Sequence, residues 1–209
     1  MIKKIKLLAL TAVMLMSSMT FTSCSKDDNK TENNISFLRE DEPIDLDKIK
    51  SVLALNGESQ IIAYRMLNAN EKFYLWNEKL QKIINEDNFN TSQRNFIVQI
   101  KNSLEVKYFY NTIDDDGHYY YNTYLREMKL IGSTLFTKSE MVSCFSQISS
   151  RLLGGNEVGG DGGGAIHCRC ATSDDWCITG NCYSLYCNSA DGGCGWWLQQ
   201  TCNGFCATT

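Results

Sequence analysis

The densest chemistry in the chain is a set of eight cysteines: Cys168, Cys170, Cys177, Cys182, Cys187, Cys194, Cys202 and Cys206. Thiols packed this closely either pair as disulfides or hold a soft metal. Their spacings lack the paired Cys-x-x-Cys knuckles that tetrahedral zinc favours, so disulfides are expected and no metal or cofactor. Trp176, Tyr183, Tyr186, Trp196, Trp197 and Phe205 stand among them, with many Asn and Gly and no long aliphatic run. A piece this short buries too little surface to fold on hydrophobic contacts alone. Four bridges, each worth about 2–4 kcal/mol, are expected to staple it. Eight cysteines allow roughly a hundred pairings, and spacing does not choose among them. The six rings suit a binding surface and a miniature core equally well.

Bridges need an oxidising compartment, and the start of the chain points to one. Lys3, Lys4 and Lys6 precede an apolar run, Leu7 to Met16, that is too short to span a bilayer. Phe21-Thr22-Ser23-Cys24 follows and resembles the lipobox of bacterial lipoproteins. That resemblance implies a signal peptide over 1–23 and a lipid on Cys24. Ser25-Lys26-Asp27-Asp28 resembles the short acidic export signal of surface-exposed lipoproteins of Bacteroidota. The expected location is therefore the outer membrane, facing outward, with a flexible tether over 24–44. Losing Lys3, Lys4 and Lys6 with the leader takes the formal charge from −4 to −7. An acidic chain argues against a nucleic-acid partner.

The elements that must carry the tail read as helices over 45–153. Leu46, Ile49 and Leu53 form a first stripe that Asn56-Gly57 breaks. Glu58 to Leu67 is a second helix, and Asn70 is placed as N-cap of a third bearing Phe73, Trp76, Leu80, Ile83 and Ile84. Thr91 opens the next, with Phe96, Ile100 and Leu104 inside. Asp114-Asp115-Asp116-Gly117 is read as a turn, and Tyr121, Tyr124, Leu125, Met128 and Ile131 as a further stripe. Thr137 and Glu140 match a capping box ahead of Met141, Cys144, Phe145, Ile148 and Leu152. The faint calcium-loop pattern at Asp114 fails, because Thr112 and Thr123 stand where ligands belong. His118 is assigned to packing, and Cys144 to an apolar helix face as a small hydrophobe. No nucleophile has a marked base, so no enzyme is expected.

Between 154 and 164, seven of eleven residues are glycine. Such a stretch cannot hold a helix and reads as a linker that a protease could cut. The fold class is thus an all-α small helical bundle followed by a small disulfide-rich, loop-rich C-terminal module over 165–209. With glycines between them, the two are expected to fold independently.

The tail Cys168-Arg-Cys170-Ala-Thr-Ser-Asp-Asp-Trp-Cys177, with Cys194-Gly195-Trp196-Trp197 and Cys202-Asn203-Gly204-Phe205-Cys206, resembles fulvocin C, a small secreted bacteriocin. The Asn70-Glu71-Lys72 and Leu75-Trp76-Asn77-Glu78-Lys79-Leu80 segments resemble the upstream part of bacteriocin fulvocin C-related proteins. The family implies antimicrobial action on a competitor's envelope. Two central gaps between cysteines are one residue shorter here, and the last cysteine spacing differs. The tail from Cys168 also carries one Arg and no Lys against Asp174, Asp175 and Asp191, a charge of −2, whereas a membrane-lytic peptide would be cationic. The alternative is a non-toxic surface module that presents its rings to an envelope component or receptor for binding or adhesion.

Overall fold

The computed structural model describes residues 42–110, 114–148, 168–184 and 187–208. The leader, Cys24, most of the tether, the linker over 154–164 and Tyr186 lie outside these residues. Among the described residues no helix is long and apolar enough to cross a membrane.

Helices α1 (Leu46–Ala54), α2 (Gly57–Arg65), α3 (Ala69–Asn85) and α4 (Thr91–Asn102) follow one another with short connections. A 3₁₀ turn, Val106–Phe109, leads on towards α5 (Asp115–Tyr119). That helix runs through a π turn at Tyr120–Tyr124 into α6 (Leu125–Leu135), and α7 (Lys138–Phe145) closes the helical part. Local chemistry sets the starts. Thr137 caps α7 with Glu140 in the expected reciprocal box. Helix α3 is capped by Asn68 rather than Asn70. The Asn68 side chain accepts from the Glu71 backbone at 2.8 Å, and the Glu71 carboxylate takes the Asn68 N–H at 2.7 Å. Glu71 is almost fully buried and also accepts from Lys48 Nζ at 2.8 Å, which ties α1 to the head of α3. The expected turn at Asp114 is instead a helix start, where Asp114 Oδ1 accepts from Gly117 N at 2.8 Å.

Helix α3 runs through the middle of the core. Trp76 and Leu80 have no exposure and join Ile97 and Ile100 of α4, Leu125 of α6 and Phe145 of α7. The tail supplies two small antiparallel pairs. Strand β1 (Asn181–Tyr183) pairs with β4 (Phe205–Ala207), and β2 (Ala190–Cys194) pairs with β3 (Gln200–Cys202) across a bulge.

The expected independence of the two parts does not hold. Trp176, Trp196, Trp197 and Leu198 belong to the same buried cluster as the helices. Only Cys168, Ala171, Cys194 and Cys202 form a small cluster of their own, with Cys187 packed on it. Strands of three to five residues bury little surface of their own, and the helices cover the three indoles instead.

Candidate functional site

The eight tail cysteines pair as Cys168–Cys187, Cys170–Cys182, Cys177–Cys206 and Cys194–Cys202. Cys182 and Cys206 face each other across β1 and β4, yet each bonds elsewhere. The sulfurs of Cys170, Cys177 and Cys182 consequently lie within 4.8 Å of one another, although they belong to two bridges. Bridged thiols are not metal ligands, because ligation needs the thiolate.

The Cys194–Cys202 bridge closes the hairpin that presents the tryptophans. Trp197 and Leu198 adopt left-handed backbone at φ 55° and 56°. Bulky residues seldom sit there, at a cost of about 1–3 kcal/mol each. Gly195, at φ 68°, precedes them, and a Cβ there would run into the Gln200 side chain. The result is a tight knuckle that pushes both indoles one way, into the bundle.

Trp197 meets Trp76 edge-on at 5.0 Å and Phe145 at 6.1 Å. Trp196 lies 5.1 Å from Phe145 and 4.9 Å from Trp176. Both indoles have no exposed surface. Tyr64 of α2 locks the knuckle by donating to the Trp197 carbonyl at 2.7 Å while accepting from Trp76 Nε1 at 2.9 Å. Burial pushes the Tyr64 hydroxyl far above its usual pKa, so it remains a donor. Gly193 gives α2 room to approach, since a Cβ there would strike Arg65 and Ile61. Arg65 reaches past it to the Gly192 carbonyl at 2.7 Å.

A second set of ties holds the acidic end of the tail. Lys129 of α6 bonds the Asp174 carboxylate and the Asp175 carbonyl, and its ammonium lies 4.7 Å from the Trp176 ring centroid. Lys138 pairs with Asp175 at 3.1 Å and donates to the Gly180 carbonyl at 2.8 Å. Of the six rings in the sequence set, the structure gathers Trp176, Trp196 and Trp197 inside. Tyr183 is exposed, Phe205 is half-buried with Arg169 stacked over it at 5.7 Å, and Tyr186 lies outside the described residues.

Two polar groups, one half-buried and one buried, flank this seam. Lys79 of α3 donates to the carbonyls of Ser143, Cys144 and Gln147 at the end of α7, and sits 4.7 Å from the Trp76 ring centroid. Burial draws its ammonium down to about 7. Cys144 is a free, buried thiol, and burial pushes it up to about 11, so at neutral pH it is a protonated and poor nucleophile.

Beside the seam opens a cleft of about 260 Å³. Its helical wall carries His118, Tyr121 and Asn122, and its tail wall Ser173, Gln199, Thr201 and Asn203. His118 is exposed here rather than packed in the core. The cleft exists only when the tail is seated, which is why sequence reasoning missed it. The π turn, a device frequent at functional sites, was the one local signal, and no residue pattern announces it. No family model matches the chain, and no curated protein or solved structure matches it.

Proposed function

We propose that this protein is a non-enzymatic binding module displayed outside the cytoplasm, held by lipid on Cys24 at the outer membrane, and working as one piece. The observation that carries this reading is the burial of Trp176, Trp196 and Trp197 in the helical core. A membrane-active peptide would need those rings free for the interfacial layer. Here they serve to join the tail to the bundle. The four bridges suit the oxidising side of a membrane. The partner would be an envelope component or receptor on another cell.

A second reading is favoured by one specific observation. Among the residues that carry the fulvocin C resemblance, Asp174-Asp175-Trp176 and Cys194-Gly195-Trp196-Trp197 dock on the helices. On that reading the helical part masks an antagonistic peptide until the linker is cut. The test compares the intact chain, the oxidised 165–209 peptide and its reduced form for growth inhibition of related bacteria and for binding to their envelopes. Envelope binding by the intact chain without inhibition by any form supports the first reading. Inhibition by the oxidised peptide alone replaces it with the second.

A further inference from the structure

We propose that the cleft beside the seam is a binding site for a neutral saccharide, one sugar ring deep. The inference rests on the binding reading above and names its ligand class. The first argument is charge. Among the described residues, the cleft lining holds no Asp, Glu, Lys or Arg, in a chain where 21% of residues are charged. A phosphate or carboxylate ligand would want Arg or Lys forks, and a divalent cation would want carboxylates. An apolar ligand would want a mostly hydrophobic wall. What lines this cleft are amides and hydroxyls, groups that donate and accept from the same side chain. Sugar hydroxyls have that same dual character, and Tyr121 adds an aromatic side chain to the lining.

The second argument is availability. Among the described residues, the side chains of His118, Asn122, Ser173 and Thr201 make no hydrogen bond within the protein, and all four are exposed. They come from both walls, two from the α5–π segment and two from the tail. The third argument is preorganisation. The groups behind them are already fixed. Tyr121 donates to the Tyr108 carbonyl at 2.8 Å, and Gln199 Nε2 donates to Tyr64 Oη at 3.2 Å. Asn203 Oδ1 accepts from the Thr172 backbone at 2.7 Å and from its hydroxyl at 3.0 Å, which aims the amide nitrogen elsewhere. The Cys194–Cys202 bridge holds the β2–β3 hairpin from which Gln199, Thr201 and Asn203 emerge. A ligand would thus find rigid walls, and little ordering entropy is lost on binding. At about 260 Å³ the cleft falls just under the range of drug-sized sites, which suits a single ring, with the rest of a glycan running out into solvent.

The test is amide NMR of the intact chain titrated separately with glucose, galactose, mannose, N-acetylglucosamine, glucuronate and inorganic phosphate. We expect at least one neutral sugar to shift the amides of Asn122, Ser173 and Thr201 saturably. Asn122→Ala and Ser173→Ala should each weaken that binding about tenfold, equivalent to about 1.4 kcal/mol, with unchanged melting temperature. The inference is overturned if no neutral sugar moves these amides up to the millimolar range, the weak end of specific affinity, or if phosphate or glucuronate binds there more tightly. An intact chain that binds envelopes equally with and without the two substitutions overturns the saccharide site and leaves the binding reading standing. A chain that binds neither sugars nor envelopes loses both.

Discussion

Lys79 concentrates the electrostatic tension of the core in one side chain. Its ammonium is drawn to about 7 by burial, while in the unfolded chain it stays near 10.5. Above pH 7 the unfolded state therefore binds more protons than the folded one, and stability rises with pH. The slope should be at most about 1.4 kcal/mol per pH unit between pH 7 and 9. From pH 9 upwards Cys144 acts the other way. Its thiol is held to about 11 in the fold, so the unfolded chain loses that proton first and stability falls. Denaturant melts should show a maximum between pH 9 and 10, where Cys144 and the buried Tyr64 and Tyr120 hydroxyls offset Lys79, and Lys79→Met should lack the rise between 7 and 9. A wild-type profile flat over that interval would mean that the three carbonyls retain the ammonium against its burial. Trp197 is the other decisive residue. Trp197→Ala should cost about 3–5 kcal/mol and lower the melting of the helical circular dichroism signal. If the helices melted as before, the shared core would be wrong. The chemistry-bearing residue types were legible from spacing alone. Their destination was not, because the indoles' direction depends on left-handed backbone at Trp197 and Leu198, which no hydrophobic period encodes.

Individual elements follow the sequence closely wherever the signal is local. Thr137-Lys-Ser-Glu140 named its own cap, and the stripes on α3 and α4 lie inward as their spacing demands, whereas Ile131 on α6 and Leu46 and Leu53 on α1 are exposed. The start of α3 was misplaced between two asparagines of equal capping quality. Glu71, three residues after Asn68, was the deciding signal, since only that pair can close the box. Asn68→Ala should accordingly cost about 1 kcal/mol, and Asn70→Ala, whose amide reaches the Glu42 carbonyl at 3.0 Å, should cost less. Equal losses in chemical denaturation would return the cap to Asn70. Asp114 was read as a turn because turn and cap draw on the same short polar side chains. The segment from Asn70 to Leu80 also gains a physical meaning. Glu71, Lys72, Leu75, Trp76 and Leu80 are buried, and Lys79 points at α7. That face of α3 positions other elements.

At the scale of the whole molecule, contacts among the described residues join the tail to the helices. Three indoles in a common core, two lysine–aspartate pairs and the Tyr64 and Arg65 bonds hold the tail. A protease site engineered into residues 154–164 should yield two fragments that co-elute on size exclusion after cleavage. Their separation in native buffer would refute the seam. Reduction should lower the melting temperature of the intact chain, helices included, because unfolding the tail withdraws its tryptophans from the core. An unchanged helical melt under strong dithiol reductant would restore two independent domains. The sequence composition argued for that separation, since glycine runs mark boundaries between units. It could not reveal that the units on either side share one interior.

The tight knuckle at Gly195–Leu198 has a consequence for timing. Its left-handed residues are framed by a bridge only eight positions apart in sequence, while the core they complete draws mostly on helices far upstream, Tyr64 and Trp76 among them. Closing that bridge should limit the conformations open to the wedge before it docks. Under the proposed export route the chain crosses the inner membrane before it is oxidised. Translocation needs an unfolded polypeptide, and this chain would stay pliable for as long as its thiols are reduced. Arrival in the oxidising compartment would then serve as the signal to become a protein at all.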